Sequence, residues 1–357
     1  MNNRLKNKLL FFLLVIFSMA GCQNPRINEP DVLLPPTSIK NITDEKSQSS
    51  EKGWFDRAQT VKYLPLGTMG KDRSKTVKSK RITQRTCWDR RGEGRVFILA
   101  VGSNTHGLTE TNRDAARFAK AMRELFNVRQ KRVCVLTNVY KDEFVHALER
   151  LGDRHRVDAD DLVIIFYSGH GTQLGDDNGD EKLDQLDEFF VPYSKKPRTK
   201  YLLRDDRFSV LIQAIPTPNI LTFIDACFSA GLYKGDDSME PINNEHIKYL
   251  EAATFGVTIP SSGRTRVGTT LDPIKGIQLS ASRENQPAVE LAERGGRFTV
   301  FFLEALKRAK QPVDLLKVFE ETRNNVYQHS QRYSKKEQEP VKNGSDEQFR
   351  RINGYIP

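Results

Sequence analysis

Hydrophobic residues recur with two different periods along the chain, beginning near Arg95. An uninterrupted apolar run at 96–101 predicts a buried strand, and 114–126 predicts a helix because its apolar residues fall on one face. Similar patterns predict strands at 132–137, 162–167, 220–224 and 277–282, and helices at 142–151, 205–215, 298–309 and 313–328. Strands that alternate with helices are typical of a mainly parallel sheet with helices on both faces. We therefore expect an α/β fold.

The segment before Arg95 lacks this periodicity. It is rich in Pro, Ser, Thr, Asn and Lys, a composition typical of a flexible tether. We expect a flexible linker over 22–90, one globular domain over 91–330 and a C-terminal extension over 331–357. The sequence contains no internal repeat that would divide the domain further.

Residues 1–21 have the parts of an export signal. Three basic residues precede a short apolar run at 9–17, and small residues lead from there to Cys22. The apolar run is too short to span a bilayer stably. The Met-Ala-Gly-Cys ending resembles the bacterial lipobox, which implies that Cys22 is lipidated and tethers the protein to a membrane. A plain signal peptide followed by a chance cysteine is the alternative.

The resemblance to a lipobox implies a location in the bacterial cell envelope. Gln23 is not Asp, which by the same resemblance favours the outer membrane where there is one. Removing 1–21 takes three positive charges and no negative one from a formal net charge of +10, which leaves +7. The basic residues are scattered, and their densest run, 71–81, lies in the predicted linker. This distribution favours a solvated linker, so we expect no nucleic-acid partner.

Two loops at predicted strand ends carry reactive side chains. The third predicted strand leads into Tyr-Ser-Gly-His-Gly at 167–171, and the fourth leads into Asp-Ala-Cys-Phe-Ser-Ala-Gly at 225–231. Functional groups of parallel sheets gather beyond the carboxyl ends of the strands. His170 and Cys227 are therefore expected on adjacent strand ends, where an imidazole helps to generate a nucleophilic thiolate.

Together the two motifs resemble the catalytic core of metacaspases and bacterial caspase-like peptidases. The resemblance covers about 95–310 and implies the caspase-hemoglobinase fold. It also implies a cysteine endopeptidase that forms a thioester, with Cys227 as the nucleophile and His170 as its acid–base partner. The backbone N–H groups of Gly171 and Cys227 would stabilise the oxyanion. The expected partners are protein or peptide substrates.

The same resemblance assigns a pocket for the substrate side chain that precedes the cleaved bond. Its expected residues are Asp225, Ser168 and Asp114. A carboxylate pair in a closed pocket would favour Arg or Lys. Asp225 could instead cap a turn, and Asp114 could be a helix N-terminal charge. Arg113, beside Asp114, departs from the Asn-Asp pair of the family.

Calcium binding is a further expectation. Several metacaspases bind activating calcium, and the resemblance points to Asp187, Asp205 and Asp206 as its ligands. The acidic loop at 175–181 does not fit the EF-hand register, because Leu174 stands where the first ligand should be. The alternative is a solvated acidic loop followed by a capped helix. We expect no cofactor for the chemistry itself.

Three further questions stay open at the level of sequence. The chain could be a related peptidase that prefers Asp or Asn, or a catalytically silent surface lipoprotein that serves as a binding module. Cys87 and Cys134 could form a disulfide, or Cys134 could be a buried thiol. The loop 232–270, which contains Arg264 and Arg266, could be cut during activation.

Overall fold

The structure is a computed structural model that describes most of the chain beyond the predicted linker. The described residues are 87–88, 95–176, 186–228, 245–258, 274–283, 286–334 and 337–357. The predictions for the signal, for Cys22 and for nearly all of the linker lie outside these residues. All described residues belong to one compact unit, 46–357.

Twelve strands and six α-helices are formed by the described residues. In chain order, the strands are β1 (Val96–Gly102), β2 (Val133–Thr137), β3 (Leu162–Ser168), β4 (His170–Gly175), β5 (Leu186–Val191), β6 (Leu203–Arg204), β7 (Asn219–Asp225), β8 (Glu245–Ile247), β9 (Ile277–Ser280), β10 (Val289–Leu291), β11 (Gly295–Gly296) and β12 (Val341–Asn343). The helices are α1 (Thr111–Leu125), α2 (Lys141–Leu151), α3 (Asp205–Gln213), α4 (Arg297–Arg308), α5 (Leu315–Tyr333) and α6 (Asp346–Asn353).

The central sheet has the strand order β12-β9-β7-β3-β1-β2. Its strands are parallel except β12, which runs antiparallel to β9. The predicted strands correspond to β1, β2, β3, β7 and β9, and the predicted helices to α1 through α5. The mainly parallel α/β sheet that the sequence predicts is thus confirmed.

The sheet is covered on both faces. One core contains Phe118 of α1, Phe302 of α4 and Phe319 of α5, and the other contains Phe144 of α2 and Phe208 of α3. Every residue of β1, β3 and β7 is buried, as expected for parallel strands between two helical layers. None of the described helices has the length and apolarity that a membrane span requires.

The C-terminal residues complete this domain. β12 pairs with β9, and Phe349 and Ile352 of α6 are buried in the same core as α1. The residues predicted as an extension, 331–357, therefore include part of the domain, and the predicted boundary at 330 is corrected. A three-residue strand and an eight-residue helix are too short to produce a clear periodicity in the sequence.

Two small antiparallel sheets stand beside the central one. The first has the order β4-β5-β6 and the second the order β11-β10-β8. Strand β4 begins with His170 and Gly171, and Gly296 of β11 donates a hydrogen bond to Asp114, so these sheets help to position the predicted site. Neither sheet was predicted from the sequence, because most of their strands are short or contain glycine.

Cys87 and Cys134 form a disulfide, with 5.5 Å between their Cα atoms. It ties the segment before the domain to β2, next to Trp88, whose indole N–H donates to the carbonyl oxygen of Arg132 at 3.0 Å. Of the two alternatives that the sequence leaves open, the structure contains the pair.

Candidate active site

The two predicted loops lie side by side. In the parallel pair β3–β7, Ser168 is opposite Asp225, so His170 and Cys227 each follow the paired strand ends by two residues. The loops are in close contact, because a Cβ atom added to Gly171 would lie 2.2 Å from the carbonyl oxygen of Cys227. The structure therefore brings together the residues that the two sequence motifs predict.

His170 is buried and neutral. Its Nε2 lies 3.2 Å from the carbonyl oxygen of His106, in a turn where His106 has a left-handed φ of 49°. Since a carbonyl only accepts hydrogen bonds, Nε2 carries the hydrogen and Nδ1 carries the lone pair. Among the described residues, Nδ1 has no hydrogen-bond partner. Burial lowers the pKa of His170 to about 3, so Nδ1 is available as a base at neutral pH.

Two backbone N–H groups converge on one oxygen beside Cys227. The N–H groups of Gly171 and Cys227 donate to the carbonyl oxygen of Lys248 at 3.0 and 3.2 Å. Two donors directed at a single carbonyl oxygen form the arrangement that stabilises an oxyanion. The thiol of Cys227 is itself buried, and its Sγ donates to the carbonyl oxygen of Gln286 at 3.5 Å.

The side chain of Lys248 fills a pocket made by the three predicted residues. Its Nζ lies 3.0 Å from Oδ1 of Asp225 and 3.6 Å from Oδ2 of Asp114, and donates to Oγ of Ser168 at 2.8 Å. All four side chains are buried. A buried charge is tolerated when it is paired and hydrogen-bonded, and each of these charges is paired.

The two carboxylates are held from the start of α4. Thr299 Oγ1 donates to Oδ2 of Asp225 at 2.6 Å, and the N–H of Gly296 donates to Oδ2 of Asp114 at 2.9 Å. The positive end of the helix dipole adds to these bonds. Gly296 also leaves room for the pocket, because a Cβ there would lie 2.0 Å from Oδ2 of Asp225 and 2.4 Å from Nζ of Lys248.

The electrostatics of the pocket favour a bound cation. Burial and the repulsion by Asp225 raise the pKa of Asp114 to about 6, although Lys248 and the hydrogen bonds from Gly296 and Ser168 oppose this. Burial by itself lowers the pKa of Lys248, but attraction by Asp225, Asp114 and Glu290 outweighs it, so the net pKa is raised. The ammonium group therefore stays charged. The pocket is chemically suited to a Lys or Arg side chain.

Sequence reasoning missed Lys248, Gly296 and Thr299 as site residues. Gly296 and Thr299 lie in the stretch 296–299, which contributes to the family resemblance without an assigned role. Lys248 lies within the loop 232–270, whose function the sequence leaves open. No local sequence pattern distinguishes Lys248 from other lysines, because its position depends on contacts with Ser168 and Asp225, which are distant in sequence.

The predicted calcium ligands are not assembled into a metal site within the described residues. Asp187 is buried and lies 3.2 Å from Nη2 of Arg204, whose Nη1 lies 3.9 Å from Asp206. Across the described ranges, no group of three or more His, Cys, Asp and Glu side chains could hold a metal ion. The guanidinium of Arg204 thus neutralises two of the predicted ligands, Asp205 begins α3, and calcium binding stays a prediction. The adjacent residues 177–185 lie outside the described part of the chain.

The mainly parallel sheet between two helical layers carries His170 and Cys227 beyond the ends of adjacent strands. Residues 95–347 match the caspase domain family of peptidases, and the chain belongs to that family. Its family is one of peptidases, hydrolases that act on peptide bonds.

Plant metacaspases are among its relatives. The chain is 34% identical to Metacaspase-4 of Arabidopsis thaliana over 95 residues, which are 26% of this chain and 21% of that protein. It is 28% identical to Metacaspase-7 of the same organism over 156 residues, 40% of this chain and 36% of the relative. The matches therefore span about a fifth to a third of the length of these metacaspases.

Two solved structures are similar to this chain at lower identity. Caspase-1 of Spodoptera frugiperda superposes with a TM-score of 0.42 and 17% identity, covering 71% of this chain and 87% of the caspase. A protein from Geobacter sulfurreducens superposes with a TM-score of 0.48 and 17% identity, covering 71% and 94% of the two chains.

Proposed function

We propose that this protein is a cysteine peptidase that cuts peptide bonds after Lys or Arg, with Cys227 as nucleophile and His170 as acid–base partner. One observation carries the proposal, namely the placement of Lys248. Its side chain lies between Asp114 and Asp225, and its carbonyl oxygen accepts hydrogen bonds from the N–H groups of Gly171 and Cys227. A lysine is thus bound in the way that we expect for the residue before a cleaved bond.

Acylation follows from this arrangement. Nδ1 of His170 takes the thiol proton, and the thiolate of Cys227 attacks the carbonyl carbon of the bound Lys or Arg. The negative charge moves onto the carbonyl oxygen, where the N–H groups of Gly171 and Cys227 stabilise it. His170 then returns the proton to the leaving amine, the C–N bond breaks and a thioester remains.

Deacylation reverses these roles with water in place of the thiol. His170 removes a proton from water while the hydroxyl oxygen attacks the thioester carbonyl, and the same two N–H groups stabilise the second oxyanion. The C–S bond breaks, the sulfur regains a proton from His170, and a carboxylate product leaves. Each step uses groups of this chain and water, so the reaction needs no redox partner.

The intact chain carries its own occupant in the site. Lys248 takes the place that we assign to the substrate, so its segment must leave or be cut before another peptide can bind. This supports a peptidase rather than a silent binding module, because the occupied groups are those that catalysis would use.

We further propose that the enzyme is a lipoprotein of the bacterial envelope, anchored through Cys22. The sequence Met-Ala-Gly-Cys after a short apolar run supports this, and the fatty acyl chains of a lipidated cysteine would provide stable attachment. We expect the full chain to partition into the detergent phase and the Cys22→Ser variant into the aqueous phase. Retention of the variant in detergent would argue against the anchor.

The dyad is tested by substitution. Cys227→Ala and His170→Ala should each lower kcat on Lys and Arg peptides by about a thousand-fold or more while leaving the circular dichroism spectrum unchanged. The double variant should be hardly worse than either single one, because residues that act as a unit are not additive. His155→Ala, at an exposed histidine, is the matched control. Substantial turnover in Cys227→Ala would refute this mechanism.

A further inference from the structure

The residues directly before Lys248, Glu245–Ile247, are bound as an extended peptide. β8 pairs antiparallel with β10, with Ile247 opposite Val289 and Glu245 opposite Leu291. Beyond β8, the N–H of Lys248 donates to the carbonyl oxygen of Ala288 at 2.9 Å. Adding a strand to a sheet edge is a common way for proteins to bind extended peptides. The segment therefore shows where the residues before a cleaved bond would lie.

Glu245, the third residue before Lys248, reaches a second charged group. Its carboxylate forms an ion pair with Nη2 of Arg297. Oγ of Ser334 lies 2.9 and 2.7 Å from the two carboxylate oxygens and donates a hydrogen bond to the carboxylate. Arg297 is the first residue of α4, directly after Gly296 of the lysine pocket. The lysine pocket and the contact site of Glu245 therefore meet at the adjacent residues Gly296 and Arg297.

Arg297 is an unusual partner because its side chain is fully buried. Nη1 donates to Oε1 of Gln338 at 3.1 Å, and Nε has no hydrogen-bond partner among the described residues. Within the described part of the chain, Glu245 is the acid that forms an ion pair with it. Burial lowers the pKa of Arg297, and the charge of Glu245 opposes this. When the segment leaves, a buried guanidinium is left without that ion pair, which is costly.

We propose that Arg297 and Ser334 form a subsite that selects an acidic residue, Glu above all, three positions before the Lys or Arg at the cleaved bond. The proposal rests on the proposed function and names a preference that the lysine pocket does not provide. A substrate with Glu at this position restores the ion pair of Arg297, and a substrate with Gln does not. Sites built to pair a charge reject neutral isosteres strongly.

The test uses matched peptides and the full chain, with calcium present in every assay. The peptides are acetyl-Glu-His-Ile-Lys-aminomethylcoumarin, which copies 245–248, and its twins with Gln or Lys in place of Glu. We expect kcat/KM for the Glu peptide to exceed that for the Gln peptide by about 10- to 100-fold, with the Lys peptide cut most slowly. The ratio within one protein does not depend on the fraction that is folded.

Substitutions assign the preference to its residues. Arg297→Gln should bring the Glu-to-Gln ratio close to 1, and Ser334→Ala should reduce it by about 3- to 10-fold. If Arg297→Gln does not fold, Ser334→Ala still decides the matter. Arg294→Gln is the matched control, because Arg294 is exposed and pairs with Glu304 instead; its ratio should equal that of the wild type.

Two failures are distinguishable. If the wild type cuts Glu and Gln peptides equally well, or if the ratio survives in both Arg297→Gln and Ser334→Ala, the acidic subsite is wrong while cleavage after Lys stands. If the wild type hydrolyses none of the three peptides after Lys, the proposed function fails and the subsite proposal falls with it.

Discussion

His170 combines complete burial with a role that requires a lone pair. The bond from Nε2–H to His106 fixes the tautomer, and desolvation keeps the ring neutral at physiological pH. A neutral imidazole is ready to accept the thiol proton. Burial of this neutral ring lowers the stability of the fold in acid, because the unfolded chain can take up a proton that the folded chain excludes.

This cost gives a prediction for stability. An unfolded histidine has a pKa near 6.5 and folded His170 one of about 3, so between these values the unfolded state binds more protons. The free energy of unfolding should therefore fall as pH drops from 6.5 towards 3, and His170→Gln should remove this component. The loss is small at neutral pH and reaches on the order of 4 kcal/mol at about pH 3. Urea unfolding of both proteins across this range provides the measurement.

Asp114 supplies a control of opposite sign. Its pKa of about 6 lies above that of an unfolded carboxyl, so wild type should lose stability relative to Asp114→Asn as pH rises from about 4 to 6.

For His170, parallel profiles of unfolding free energy against pH for wild type and His170→Gln would contradict the neutral, buried histidine.

At the residue scale, the site residues that lie in short motifs were predicted from the sequence. His170, Cys227 and Asp225 are next to the ends of long strands, so local pattern and family resemblance together located them. Lys248 and Arg297 could not be found in this way, because their roles come from contacts between residues distant in sequence. Arg297 contacts Glu245, 52 residues away, and Lys248 contacts Ser168, 80 residues away.

At the element scale, the segment 245–250 occupies the proposed substrate site. Backbone hydrogen bonds hold the segment on both sides. The N–H of Lys248 donates to the carbonyl oxygen of Ala288, and the N–H of Leu250 donates to that of Gly171. The charged side chains of the segment are held at two places, Lys248 in the lysine pocket and Glu245 on Arg297 and Ser334. Weakening the attachment of Lys248 should open the site.

We therefore expect Lys248→Gln to raise activity on added Lys peptides by about 10-fold, since the neutral side chain loses its two ion pairs. Lys317→Gln, at an exposed lysine of α5, should leave activity unchanged. Progress curves on peptide substrates measure both. In wild type, any cut within the segment should release a fragment that begins with Tyr249, found by N-terminal sequencing.

The opposite outcome is equally informative. If Lys248→Gln loses both activity and stability, Lys248 is a structural lysine that neutralises two buried carboxylates. The segment would then be a fixed part of the fold and not an occupant of the substrate site.

Elements differed in how far the sequence predicted them. β1, β3 and β7 are seven-residue strands whose residues are all buried, because both faces of the sheet are covered, and their mainly apolar patterns predicted them within one residue at either end. β8, β10 and β11 have three residues or fewer, and tertiary pairing rather than local propensity decides them. These short strands are the ones that shape the substrate site.

At the scale of the whole molecule, the Cys87–Cys134 disulfide closes a loop across 47 residues. It joins the end of the segment before the domain to β2, an edge strand of the central sheet that three other strands separate from β9. Closing a loop of this length reduces the entropy of the unfolded chain.

We expect Cys87→Ser to lower the free energy of unfolding by roughly 2–4 kcal/mol, with little effect on kcat. Reductant should destabilise the wild type by a similar amount and leave Cys87→Ser unaffected, which makes that variant its own control. Denaturant unfolding with and without dithiothreitol measures this. Equal stability of wild type in both conditions would mean that the bond contributes nothing.

The central claim is that the buried carboxylate pair reads a basic side chain before the cleaved bond. The direct test is kcat/KM on peptides that differ only there, with Lys, Arg, Gln, Asn or Asp, for wild type, Asp225→Asn and the exposed control Asp142→Asn. We predict that wild type and control prefer Lys and Arg by about 100-fold or more, and that Asp225→Asn loses most of this preference. Cleavage after Asp or Asn, or a basic preference that survives in Asp225→Asn, would contradict the account.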